Sequence, residues 1–83
     1  MENVYVSLSS PEIVQRFVET LTRLEGDFDL ISGKYILDGR SLMGIFSLDI
    51  TKPIQLRVHN NSEENMDALH PFMVGSMKGV NVS

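Results

Sequence analysis

Short apolar segments, several of them alternating with polar residues, predict four β-strands in this 83-residue chain. In the first strand, Val4, Val6 and Leu8 would line one face. Between the second and third strands, Ser32 and Gly33 indicate a tight turn, so we expect these two strands to form a hairpin. The predicted strands cover residues 4–8, 27–31, 34–38 and 54–59.

A helical spacing of apolar side chains follows the first strand and is the clearest element of the pattern. Ser10 can serve as the N-cap, and Pro11 occupies the first helical position, where its missing N–H group costs nothing. We expect Gly26 to end this helix. The apolar positions are Ile13, Val14, Phe17, Val18, Leu21 and Leu24.

Two shorter helices are predicted in the second half of the chain. Residues 41–48 fit one or two helical turns, although Gly44 in the middle disfavours a helix. Turn-forming and cap-forming residues at 60–62 precede a final helix. Pro71 disfavours helical dihedral angles at His70, so the final helix is expected to stop or kink there.

The resulting order, β-α-β-β-α-β-α, is typical of an α+β open sandwich. We expect one mostly antiparallel sheet with the helices on one face. Residues 1–73 would form a single domain, because a chain of this length has room for only one hydrophobic core. Residues 74–83 contain two glycines and no periodic pattern, and they predict a flexible C-terminal tail.

Composition and charge exclude several classes of protein. The chain has no cysteine, which excludes disulfides and cysteine-based metal sites. The net charge is −4 and the seven Lys and Arg residues are scattered, so binding to nucleic acid is disfavoured. The sequence shows no apolar run long enough to span a membrane and no signal-peptide pattern. We therefore expect a cytoplasmic protein that binds no membrane.

No arrangement of residues predicts an enzyme, a cofactor or a metal site. Motifs for phosphate loops, dinucleotides and zinc are absent from the sequence. Asp27 and Asp29 could act as paired carboxylates or bind a divalent cation, but we interpret them as solvated acids of a strand. His59 closes a strand and His70 precedes a proline, so we interpret both as surface or helix-end residues rather than as a metal ligand or general base.

One segment carries a specific motif. Residues 40–48 read Arg-Ser-Leu-Met-Gly-Ile-Phe-Ser-Leu. This segment resembles the surroundings of the regulatory serine in the histidine-containing phosphocarrier (HPr) family of the bacterial sugar phosphotransferase system. Its distance from the Asp-Phe-Asp-Leu strand at 27–30 also suits that family, and the similarity extends over about residues 4–70. The resemblance implies the HPr-like open-faced β-sandwich, with a mostly antiparallel four-stranded sheet.

The chain departs from the HPr family at the position of the active histidine. Counting without gaps from the motif places Ser10 in the histidine position and Glu12 in the position of the family's arginine. A serine phosphate is a stable ester and a poor phosphoryl donor, and a glutamate repels an incoming phosphate. The helix start at Ser10 and Glu12 still offers an anion site through its backbone N–H groups. We therefore expect no phosphoryl relay from this position.

Ser41 keeps the position of the family's regulatory serine. The resemblance implies that the HPr serine kinase, which uses ATP, could phosphorylate this residue. A phosphate there would gain from the helix dipole and from neighbouring Arg40. The alternative interpretation is that Ser41 only caps the short helix, and both interpretations stay open.

The same resemblance implies a partner-binding surface beside Ser41. Ile45 and Leu48 would point into the core, while their neighbours would form an exposed apolar patch. The alternative is that these neighbours are buried against the sheet. The residues assigned to partner binding are Arg40, Leu42, Met43 and Phe46.

The sequence thus favours an HPr-like regulatory or partner-binding module. The partners that the resemblance implies are enzyme I, the HPr serine kinase or a carbon-control regulator. Two alternatives stay open. One is a divergent phosphocarrier that uses another residue, such as His59 or His70, and the other is a binding module unrelated to sugar transport.

Overall fold

The computed structural model describes residues 2–76, which form an α+β fold with a five-stranded antiparallel sheet and three α-helices. The order of the first seven elements is the predicted one. The strands are β1 (Glu2–Val6), β2 (Phe28–Ser32), β3 (Tyr35–Asp38), β4 (Ile54–Val58) and β5 (Met73–Ser76). The helices are α1 (Pro11–Arg23), α2 (Leu42–Phe46) and α3 (Glu63–Leu69), followed by one 3₁₀ turn, His70–Phe72.

The sheet has the strand order β3-β2-β4-β1-β5, and its fifth strand corrects the expected number of four. β5 pairs with β1 in antiparallel orientation, with Tyr5 opposite Gly75. Residues 74–76 therefore belong to the sheet, although the sequence analysis assigned them to a flexible tail. The reason is that an edge strand obtains its hydrogen bonds from a neighbour distant in sequence and needs no alternating pattern of its own. The rest of the predicted tail, 77–83, lies outside the described residues.

The helices cover one face of the sheet, as predicted. Val4, Leu56 and Leu30 lie opposite one another on adjacent strands and are fully buried. Phe17 of α1 and Leu69 of α3 are fully buried in the same core. The complete core consists of Val4, Val6, Leu8, Val14, Phe17, Leu21, Phe28, Leu30, Ile45, Ile54, Leu56, Val58 and Leu69.

The other face of the sheet carries mostly polar side chains that are only partly buried, and we call it the open face. Side chains alternate between the two faces along a strand, so the open face receives the residues between the buried ones. On the three central strands these residues are Asn3, Tyr5, Asp29, Ile31, Gln55 and Arg57.

Helix α1 begins as the sequence predicts but ends earlier. The Ser10 Oγ accepts a hydrogen bond from the Ile13 N–H at 3.3 Å, and Pro11 is the first helical residue. The helix ends at Arg23 instead of Gly26. Gly26 lies in the turn after the helix with a φ of +101°, in the left-handed region that glycine adopts without strain.

One buried amide joins α3 to this turn. Asn65 is 3% exposed, and its Nδ2 donates hydrogen bonds to the carbonyl oxygens of Glu25 and Asn60, both at 2.8 Å. The Ser62 Oγ caps α3 by accepting from the Asn65 N–H at 3.2 Å. A Cβ atom on Gly26 would lie 2.7 Å from the Asn60 Cβ, so these segments are in close contact. The periodicity of the sequence gives no sign of this role for Asn65.

The hairpin between β2 and β3 turns at Gly33 and Lys34, one residue later than predicted. Gly33 has a φ of +60°, while Lys34 keeps a negative φ. A positive φ at only the first of the two central residues is typical of a type II′ turn, which suits the right-handed twist of a hairpin.

Helix α3 stops at Leu69, as expected, but the predicted reason is wrong, because His70 keeps helical dihedral angles with a φ of −51° and a ψ of −42°. Pro71 has no N–H group to donate to the Asp67 carbonyl oxygen, so the α-helical hydrogen bonds end there. The chain continues through a 3₁₀ turn that contains this proline and then enters β5. None of the helices in the described part of the chain is both long and apolar enough to cross a lipid bilayer.

Candidate functional site

Helix α2 presents the apolar side chains that the sequence analysis assigned to partner binding. Met43 is 80% exposed and Phe46 is 39% exposed, so neither is sequestered in the core. Leu42 is half-buried and packs against the core. Ile45 is fully buried, and Leu48 packs partly buried against the core, as predicted. We call Leu42, Met43 and Phe46 the α2 patch.

Helical geometry explains which side chains of α2 are exposed. Successive residues of an α-helix are about 100° apart around its axis. With Ile45 pointing into the core, Met43 lies about 200° away and must face solvent. Phe46 lies about 100° from Ile45, at the rim, which agrees with its intermediate exposure. The burial of Ile45 therefore determines how exposed the side chains of the α2 patch are.

Ser41 occupies the N-cap position of α2, but its hydroxyl makes no capping hydrogen bond. Its backbone is ordered on both sides: the Ser41 N–H donates to the Asp38 carbonyl oxygen, and the Ser41 carbonyl oxygen accepts from the Ile45 N–H, both at 2.9 Å. The side chain is half-buried. The N-cap position of Ser41 was predicted correctly, whereas the predicted capping hydrogen bond is not formed by its hydroxyl.

Gly44 faces this hydroxyl. A Cβ atom on Gly44 would lie 2.8 Å from the Ser41 Oγ and 3.4 Å from the Leu37 Cδ1. Any larger residue at this position would therefore crowd the serine side chain. The sequence analysis treated Gly44 only as a residue that disfavours a helix, whereas its place in the structure is to leave room beside Ser41.

Arg40 is not among the side chains that form the α2 patch, and its assignment to partner binding stays a prediction. Its guanidinium group binds the end of α1 instead: Nε donates to the Leu21 carbonyl oxygen at 3.0 Å, and Nη2 donates to those of Leu24 at 2.8 Å and Gly26 at 3.0 Å. The Cζ atom also lies 5.1 Å from the centre of the Phe28 ring. The physical reason is that the last carbonyl groups of a helix lack partners within the helix, and a cation satisfies them well.

The start of α1 is a poor anion site. The Ile13 N–H is bonded to the Ser10 Oγ, the Val14 N–H is bonded to the Ser10 carbonyl oxygen at 3.0 Å, and Pro11 has no N–H group. Among these first-turn groups, only the Glu12 N–H is left for a ligand, and the Glu12 side chain brings negative charge to the same place. This geometry disfavours the anion site predicted at Ser10 and Glu12.

The histidines and strand acids take ordinary surface positions. The His59 Nε2 lies 2.7 Å from the Asp29 Oδ2, and the His59 N–H donates to the Asp27 carbonyl oxygen at 3.1 Å. His70 is exposed and begins the 3₁₀ turn. Within residues 2–76, no group of three or more His, Asp or Glu side chains could hold a metal ion. The Asp29 carboxylate therefore binds the His59 side chain, and the Asp27 carbonyl oxygen accepts a hydrogen bond from the His59 backbone.

Comparison with known proteins gives no relative. No family model, no curated protein and no solved structure matches the chain. The candidate function therefore depends on the residues of the α2 patch and on the geometry around Ser41.

The turn after α2 is held by Asp49. Its Oδ1 accepts hydrogen bonds from the Thr51 hydroxyl and from the Thr51 N–H, the latter at 3.1 Å. The side-chain bond to Thr51, then the backbone bond, and finally the charge of Lys52 hold the pKa of Asp49 below its ordinary value of 3.8. The carboxylate thus stays charged at neutral pH and orders the chain just beyond the α2 patch.

Proposed function

We propose that this protein is an HPr-like regulatory or partner-binding module that docks on other proteins through the α2 patch and does not relay phosphate from a histidine. The observation that carries the proposal is the exposure of Met43 and Phe46 on a helix whose N-cap serine hydroxyl makes no capping bond. Such a role belongs to the cytoplasm, where the phosphotransferase proteins act.

Two features of the fold support a relationship to HPr proteins. The order β-α-β-β-α-β-α matches the family order, and the first four strands lie in one antiparallel sheet. The motif at 40–48 falls on α2 and the residues just beside it. β5 goes beyond the four strands expected of the family.

The α2 patch is suited to transient binding. Full burial of an exposed Met or Phe side chain contributes about 1.5–3 kcal/mol. Met43 is 80% exposed and Phe46 is 39% exposed, so the two together can supply about 2–3.5 kcal/mol of the roughly 8 kcal/mol of a micromolar affinity. A methionine side chain is flexible and adapts to differently shaped partners. Because Met43 is 80% exposed, its removal should change binding without weakening the fold.

We further propose that phosphorylation of Ser41 regulates this docking. A phosphoserine carries about −1.5 to −2 charges at neutral pH, next to side chains that would be desolvated on binding. A partner with an apolar contact surface would lose affinity, and a partner with a cationic one would gain it. Gly44 supports the proposal because it leaves space on one side of the hydroxyl.

The first test is intact-mass spectrometry after incubation with ATP and the HPr serine kinase. A single added phosphate that disappears in Ser41→Ala is the expected result. A parallel reaction contains phosphoenolpyruvate and enzyme I, and acid-labile phosphate in that reaction would support the alternative of a divergent phosphocarrier. No phosphate from either reaction would remove the regulatory part of the proposal.

The second test is calorimetric titration with enzyme I, the HPr serine kinase and a carbon-control regulator. Met43→Ala combined with Phe46→Ala should weaken binding to a partner about tenfold or more, which corresponds to at least about 1.4 kcal/mol. Val74→Ala is the matched control, because Val74 is also an exposed apolar residue, at 55% exposure, but lies far from the α2 patch. It belongs to β5 at one edge of the sheet, whereas α2 contacts β3 at the other edge. If none of these proteins binds, the module acts outside sugar transport.

A further inference from the structure

Strand β3 is the outermost strand at one edge of the sheet that residues 2–76 form. It exposes two large apolar side chains, Tyr35 at 68% and Ile36 at 61%. An edge strand with such side chains is a template for pairing with another strand. A charge lies at each end of the segment: Lys34 precedes the strand and Asp38 ends it.

The pattern of hydrogen bonds in the hairpin determines which backbone groups of β3 point toward its outer edge. The Gly39 N–H donates to the Phe28 carbonyl oxygen at 2.7 Å, so these residues form a hydrogen-bonded pair. Hydrogen-bonded and non-hydrogen-bonded pairs alternate along an antiparallel ladder. Ile36 lies opposite Ile31 in a non-hydrogen-bonded pair, and its backbone N–H and C=O therefore point away from β2, toward the free edge.

We propose that β3 pairs edge to edge with β3 of a second copy of the chain, in antiparallel orientation and centred on Ile36. In such a pair, the side chains of directly opposite residues lie on the same face of the sheet. The two-fold axis between the copies must therefore pass where one residue faces the same residue of the second copy, and not between two neighbouring residues. Centring on Ile36 places the two Ile36 side chains against each other. It also brings Lys34, the turn residue just before β3 of each copy, close to Asp38 of the other, twice, by symmetry.

The charges on the open face favour this register over others. Asp38 lies directly opposite Asp29 on β2, and like charges in such a pair are destabilising. The Asp29 carboxylate has a partner in the His59 Nε2 at 2.7 Å, whereas within residues 2–76 the Asp38 carboxylate accepts only from the Arg40 backbone N–H, at 2.9 Å to its Oδ1. Lys34 of the second copy would supply a cation on the outer side of Asp38.

The expected association is weak and sensitive to salt. A pairing of two four-residue strands is smaller than the roughly 1,200 Å² of total buried area that stable complexes reach, so we expect a dissociation constant between about 10 μM and 1 mM. Its ionic part is exposed and is screened within about 8 Å at physiological ionic strength. This inference is independent of docking through the α2 patch.

Sedimentation equilibrium of the full chain, over a concentration range that spans this interval, tests the proposal. The weight-average mass of the wild-type protein should rise from that of the monomer toward that of the dimer as the concentration increases. Lys34→Asp and Asp38→Lys should each remain monomeric alone, because each brings like charges together. An equimolar mixture of the two variants restores both ion pairs and should dimerise, which no loss of folding could produce; circular dichroism of each variant checks its fold.

Three results would overturn the proposal. The first is a wild-type protein that stays monomeric at the highest concentration. The second is self-association that Lys34→Asp leaves unchanged, since another surface would then be responsible. The third is a mixture of the two variants that remains monomeric although both variants fold.

Discussion

Replacement of Arg40 by methionine should destabilise the whole domain. Methionine keeps the length of the apolar stem but removes the donors that reach three carbonyl groups in the last turn of α1 and just after it. It also removes the cation that lies 5.1 Å from the centre of the Phe28 ring. The carbonyl groups of Leu21 and Leu24 are partly buried, so water replaces the lost donors only in part.

The size of the effect follows from these contacts. The two partly buried bonds should contribute about 1 kcal/mol each, the value for ordinary hydrogen bonds, because the guanidinium is partly exposed. The contact with the ring adds about 0.5–1 kcal/mol. The sum is about 2.5–3 kcal/mol, against a total stability of roughly 4–12 kcal/mol for a domain of this length. The melting temperature should fall by about 10–20 °C.

Urea denaturation followed by far-UV circular dichroism measures this loss. The chain has no tryptophan, so helix signal is a better probe than fluorescence. Arg40→Lys is the matched control: it keeps the charge, but a single ammonium group satisfies fewer carbonyl groups, so an intermediate loss is expected. The reasoning is refuted if Arg40→Met unfolds within about 0.5 kcal/mol of the wild type, because that is the usual range for surface substitutions.

Three further outcomes follow from the structure. Met43→Ala should change the unfolding free energy by less than about 0.5 kcal/mol, whereas Ile45→Ala, in the core, should lose about 2–4 kcal/mol in the same denaturation assay. Asn65→Ala leaves two carbonyl groups unpaired and should lose about 1–3 kcal/mol; an unchanged midpoint would show that water replaces the amide. Thr51→Val should raise the pKa of Asp49 in an NMR titration. Because this pKa is lowered by folding from 3.8, its contribution to stability is complete above 3.8 and is lost as the pH falls through the lowered value.

The sequence predicted the elements whose side chains alternate or repeat along the chain. α1 was found because Val14, Phe17 and Leu21 are spaced for one helix face, and all three are fully buried. β5 was missed because Gly75 interrupts any apolar alternation there, and its partner β1 lies about 70 residues away in the sequence. Pairing over such a distance depends on the shape of the assembled sheet, which no local pattern contains.

The candidate site was predicted only in part, for a related reason. Exposure of Met43 and Phe46 follows from helix geometry once Ile45 is buried, so a local pattern was sufficient. The direction of the Arg40 side chain was not local. Its neighbour Ser41 suggested a phosphate partner, but the end of α1 is packed close by in the folded protein and supplies carbonyl groups that the sequence places about 15–20 positions earlier.

The contact between Arg40 and α1 also connects modification to local unfolding. A phosphate on Ser41 would compete with the last carbonyl groups of α1 for the same guanidinium, so the contact between Arg40 and the helix end would weaken when the guanidinium binds the phosphate. Amide hydrogen exchange at the C-terminal end of α1 should then be faster in the phosphorylated protein, and equal rates would show that the guanidinium stays in place. If exchange accelerates, the fraying of the C-terminal end of α1 depends on whether the Ser41 hydroxyl group carries a phosphate.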